Sequence, residues 1–129
     1  MPINVRWDDE AKTIVRLDFI APVSWETFQD AMDRAAKLAE SVNYRVDVLS
    51  IPGVVPMPPG SPVPQVQRAF KKLPRNVGVV VMLTSNAFAR TIVSTVGGMY
   101  IGKRYKAVET IDEAYRLIDA HRAKSHSAR

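Results

Sequence analysis

The chain has 129 residues, of which 47% are hydrophobic and 24% charged, with a net charge of +5 and no cysteine. That length suits one domain, and the apolar share supports a packed core rather than disorder. The lack of cysteine excludes disulfide frameworks, thiolate metal sites and a cysteine nucleophile.

Residues 3–7 alternate apolar and polar as a half-buried strand does, and residues 13–20 alternate again through Ile14, Val15, Leu17 and Phe19. The polar stretch 8–12 between them makes an antiparallel hairpin, closed by Ala21-Pro22-Val23 because proline cannot donate to a ladder. Ser24 is a good N-cap for the helix that follows, with Glu26 in its first turn and Phe28, Met32, Ala35, Ala39 and Val42 on one stripe.

Residues 45–51 are rich in β-branched side chains and form the second strand of a β-α-β crossover. Residues 52–64 then hold six of the nine prolines and predict a stiff, extended, non-helical segment. A helix is expected over 65–73, with Val66, Ala69, Phe70 and Leu73 on one side and Pro74 as its stop. The apolar run 77–83 predicts a central strand covered on both faces. Thr84-Ser85-Asn86 leads into a helix with Phe88, Ile92, Val96 and Tyr100 at four-residue spacing, weakened by Gly97, Gly98 and Gly102. A short strand at 106–109 precedes Thr110-Ile111-Asp112-Glu113, which has capping-box form, and a last helix through Ala114, Leu117, Ile118 and His121.

The predicted order is β-β-α-β-α-β-α-β-α, an α/β domain over residues 1–123 with a mostly parallel sheet and a polar tail at 124–129. Val46, Val48, Val79, Val81, Ile92, Val96 and Leu117 are the expected core. Residues 2–6 lack the charged-then-apolar order of a signal peptide, and the run 77–83 is too short to cross a bilayer. A cytoplasmic chain without a transmembrane segment is expected.

In open α/β sheets ligands bind at the C-terminal ends of the strands. That edge gathers Ser50, the segment 52–64 with Val54, Val55, Met57 and Ser61, then Thr84, Ser85 and Asn86, and Glu109-Thr110. Val54, Val55 and Met57 are too hydrophobic for an ordinary exposed loop, and three roles are open to them. These are to close over the core, to cover an apolar ligand, or to form a partner or homodimer surface. Ser85 or Asn86 is expected to cap the next helix and Ser61 to act as a turn residue or cap.

No catalytic set, metal site or cofactor motif is expected. His121 and His126 are the only histidines, and Asp8, Asp9 and Glu10 are expected to be solvated in the hairpin loop. The basic stretches 68–75 and 103–106 lack the interleaved aromatics of a base-stacking platform, so nucleic acid is not an expected partner.

Three segments carry a resemblance to a known superfamily. Tyr44-Arg45-Val46-Asp47-Val48-Leu49-Ser50 looks like a D-L-S strand, and residues 77–83 with Phe88-Ala89-Arg90 look like a central strand and its helix. Tyr105-Lys106-Ala107-Val108-Glu109-Thr110-Ile111-Asp112-Glu113-Ala114 looks like a closing strand and helix. Together they resemble the SpoIIAA-like superfamily, which includes anti-sigma-factor antagonists, STAS domains and lipid-binding SEC14-like relatives. The resemblance implies a non-catalytic regulatory module with a protein partner, and the lipid-binding branch implies an apolar small molecule under the proline-rich segment. In the signalling branch a serine in an Asp-Ser-Ser-Gly turn at the start of the second helix is phosphorylated. Here Ser61 in Gly60-Ser61-Pro62 occupies that region, and the surrounding pattern departs from the motif.

Overall fold

The hairpin forms as its alternation dictates. β1 (Ile3–Trp7) runs antiparallel to β2 (Ile14–Phe19), in register from Ile3 opposite Phe19 to Trp7 opposite Val15. The structure is a computed structural model and describes residues 2–53, 55–97 and 104–127; Val54, Gly98, Tyr100, Gly102 and Lys103 lie outside them. Glu10 is exposed in the hairpin loop as expected, whereas Asp8 and Asp9 are held by hydrogen bonds and ion pairs. Asp9 accepts from the Thr13 amide at 2.8 Å, the Ile14 amide at 3.1 Å and the Thr13 hydroxyl, closing the turn. Burial acts to raise the Asp9 carboxyl, and these hydrogen bonds outweigh it and hold the group below its ordinary value. The Asp8 side chain is only 7% exposed, paired with Arg16 at 3.1 Å. It also accepts from the Tyr115 hydroxyl at 2.7 Å, a bond that raises the Tyr115 phenol.

After the hairpin, α1 (Trp25–Glu40) opens on a reciprocal cap in which Ser24 and Thr27 satisfy each other's amides. Its inward stripe is mostly alanine (Ala31, Ala35, Ala36, Ala39) with Met32, which lets the helix lie close on the sheet. β3 (Val46–Ile51) follows, then α2 (Pro62–Lys71), β4 (Val77–Leu83), α3 (Ala87–Gly97), β5 (Arg104–Val108) and α4 (Ile111–Ser127). The order β-β-α-β-α-β-α-β-α is thus the one the periodicity predicts. The five strands lie side by side in sequence order, and β2 to β5 are parallel.

Several expectations shift: β5 starts at Arg104 rather than residue 106, and α4 runs to Ser127, into the stretch expected as a polar tail. α2 begins at Pro62 rather than residue 65, because a proline in the first turn loses only an amide that would have had no helical partner. The prolines at 62 and 64 are therefore helical. On α3 the inward residues are Ala89, Ile92, Val93 and Val96, whereas Phe88 is 60% exposed, off the stripe by one position. On α4 the inward pair is Ala114 and Ile118, four residues apart, and Leu117 is only partly buried beside them.

The two faces of the sheet are unequal. α1, α2 and α3 pack on one face over Val15, Leu17, Val46, Val48, Val77 and Val80, while α4 alone covers Leu49, Val79 and Val81 on the other. Where α4 does not reach, the outer face of the hairpin is a polar lattice in which Arg16 pairs with Asp8 and Asp18, and Arg6 with Asp18. No helix among the described residues is long and apolar enough to cross a membrane.

Inside this apolar sheet lies one buried carboxylate, Asp47 on β3, with no exposed surface. The β3–β4 register slips between Val46 and Val48, so that Val46 faces Val77 but Val48 faces Val80. The slip takes the Val79 amide off the ladder, and Asp47 Oδ1 accepts it at 2.8 Å. Arg45 and Arg122 complete the carboxylate's partners at 3.0 and 2.7 Å. Gly78 is what admits Arg45, since a Cβ there would sit 2.2 Å from its Nε.

Candidate functional site

The proline-rich loop leaves the C-terminal edge of β3 and does not collapse onto the core. Beneath it is a half-open cavity of about 410 Å³. Pro52, Gly53, Val55, Pro56, Met57 and Pro58 form its roof. The sheet contributes Phe19 from the end of β2, Met82 from β4 and Tyr105 from β5. Val23, Trp25 and Phe28 make the wall on the α1 side with Val66 of α2, and Ala89 and Ile92 make the α3 wall. Among the described residues no charged side chain lines this space. Its volume lies at the small end of the range for drug-sized ligands, and an apolar lining with a few polar groups is what such sites have.

The loop is held open by specific contacts rather than by its prolines alone. It starts in a turn, with Gly53 at φ +58° and the Val55 amide donating to Pro52 O at 3.1 Å. At its far end Trp25 Nε1 donates to Pro59 O at 2.9 Å. Gly60, at φ +108°, brings the backbone round against that indole, a conformation a residue with a Cβ adopts only with strain. The Ser24–Thr27 cap sets the first turn of α1 and so aims Trp25, whose ring meets Phe28 edge-on at 5.7 Å. Gln29 Nε2 donates to Gln65 O at 2.7 Å and fastens the start of α2 to α1.

Of the positions singled out in the sequence, Val55, Met57, Thr84, Ser85 and Asn86 come together around this cavity. Asn86 caps α3 as expected: its Oδ1 accepts from the Ala89 amide at 3.0 Å, while Thr84 Oγ1 accepts from the Asn86 amide at 3.1 Å. Ser85 is exposed at the rim beside Phe88. Ser50 is buried, flanked in register by Leu17 and Met82, and does not line the cavity. Ser61 sits at the N-cap of α2, exposed, with its hydroxyl making no capping bond. Val54 lies outside the described residues.

Trp25, Phe19, Phe28 and Tyr105 were not legible as site residues. Trp25 reads as the first residue after an N-cap and Phe28 as core stripe, and Tyr105 falls just before the strand expected at 106–109. An indole at the start of a helix, 34 residues before the loop carbonyl it holds, carries no local signal. Comparison of the chain with protein-family models, with characterised proteins and with solved structures finds no match.

Proposed function

We propose that this chain is a non-catalytic binding domain that holds a small, mostly apolar molecule in the cavity under the proline-rich loop. The observation that carries the reading is the conjunction of the two: an uncharged, aromatic-rich space of about 410 Å³ and a roof fastened at both ends. A stiff lid loses less conformational freedom when a ligand is enclosed, which favours retention of a modest apolar molecule. The likeness to a superfamily with lipid-binding SEC14-like members supports the same reading, within a cytoplasmic chain.

The test is a cavity-filling variant. Nile red, a neutral dye that brightens in apolar surroundings, is expected to bind the purified chain. Ala89→Phe, which projects a ring from α3 into the space, is expected to weaken that binding by about ten-fold or more without unfolding the protein. Equal dye emission from both folded proteins, or none from either, would defeat the reading.

A second reading is a regulatory protein-interaction module of the anti-sigma-factor-antagonist kind. One observation favours it: the Ser61 hydroxyl is exposed and uncommitted at the N-cap of α2. A phosphate there would add roughly −2 charges at a helix N-terminus. Ser61→Asp is expected to release a partner recovered with the wild-type chain; full retention of every such partner sinks this reading.

A further inference from the structure

Tyr105 narrows the chemistry of the ligand. Its ring lies 4.6 Å from Phe70, the residue is 7% exposed, and it borders the cavity from β5. A buried tyrosine hydroxyl ordinarily has a hydrogen-bond partner, because leaving it without one forfeits the water it gave up. Among the described residues nothing donates to or accepts from the Tyr105 hydroxyl. Tyr105 is among the residues that line the cavity, so a molecule held there can supply the partner its hydroxyl lacks. Burial pushes its phenol up, so the group remains a neutral O–H.

Other donors at the site are already engaged. Trp25 Nε1 is spent on Pro59 O and the Ala89 amide of α3 on Asn86 Oδ1, while Ser85 stands exposed at the rim. Among the described residues no cation lines the space to hold a carboxylate or phosphate, and an unpaired charge there would be desolvated without compensation.

We infer that the cavity selects a neutral ligand with an apolar body and a single carbonyl-type hydrogen-bond acceptor, which takes the Tyr105 hydroxyl. This rests on the reading of the cavity as a ligand site. Titration calorimetry at neutral pH with acetophenone, ethylbenzene and phenylacetate tests it with three probes of one shape. Acetophenone is expected to bind most tightly. Tyr105→Phe keeps the ring against Phe70 and is expected to weaken acetophenone about five- to ten-fold while leaving ethylbenzene unchanged. Ethylbenzene binding to the variant also shows that its cavity is intact. Equal losses for acetophenone and ethylbenzene, or tightest binding of phenylacetate, would overturn the assignment to Tyr105 and leave the cavity reading standing. Binding of none of the three would defeat the cavity reading, and this inference with it.

Discussion

Asp47→Ala is expected to lower the unfolding free energy by about 3 kcal/mol, the largest effect of any single truncation proposed here. The carboxylate has no exposed surface and serves three donors on three different elements: Arg45 beside it, the Val79 amide on β4 and Arg122 on α4. Removing it leaves two guanidinium groups without their shared counter-charge and one buried amide without an acceptor. The side chains of Arg45 and Arg122 are 29% and 31% exposed, so they can turn partly to water, which keeps the loss at the lower end of the range for a broken buried pair. Asp47→Asn retains an oxygen for the Val79 amide and is expected to lose about half as much. Urea midpoints at unchanged m-value report the difference. A loss no larger than that of a surface substitution, about 0.5 kcal/mol, would show that the network does not tie α4 to the sheet.

Trp25→Ala is expected to destabilise by about 2 kcal/mol and, more tellingly, to free the roof of the cavity. Full truncation of a buried tryptophan loses about 3–5 kcal/mol, and the half-buried position of Trp25 scales that down. The indole does two things at once: it packs edge-on against Phe28, and it holds Pro59 O. Without it the loop keeps its Pro52–Val55 turn but loses its far fastening. Amide hydrogen exchange at Met57 and Gly60 is expected to rise while that of β3 and β4 stays the same, since local opening needs only the contacts of the opened segment. Nile red affinity should fall with it. Trp25→Phe separates the two effects, keeping a ring for Phe28 and losing the hydrogen bond. Unchanged exchange at Met57 and Gly60 in Trp25→Ala would show that the loop holds its position by its own stiffness.

Local pattern accounts for most of the architecture. The bounds of β1 and β4 coincide with their alternating and continuous apolar runs, and Ser24, Asn86 and Thr110 cap helices as their side-chain oxygens suggest. The misses have local causes as well. A four-residue spacing starting at Phe88 and a stripe starting at Ala89 both fit the short sequence of α3, and only the sheet beneath selects the second. Asp8 reads as a loop carboxylate because its partners, Arg16 and Tyr115, lie 8 and 107 residues away.

The candidate site divides in the same way. Composition alone marks residues 52–64 as a stiff apolar segment at the ligand-binding edge of an α/β sheet, because proline restricts its own φ and that of its predecessor wherever it occurs. Whether such a segment fills the core or spans a void depends on what stands at its far end, and that is Trp25, placed by α1, together with the positive φ of Gly60. Likewise Asp47 can be read from the sequence as a polar residue in an apolar strand, but not as a paired one. Its partners come from a register slip in β4 and from the last helix, and strand order, register and helix placement are set by packing between elements far apart in the chain. Periodicity is a property of neighbours in sequence, so it determines the elements; the cavity, its latch and the buried Tyr105 on its border arise only where those elements meet.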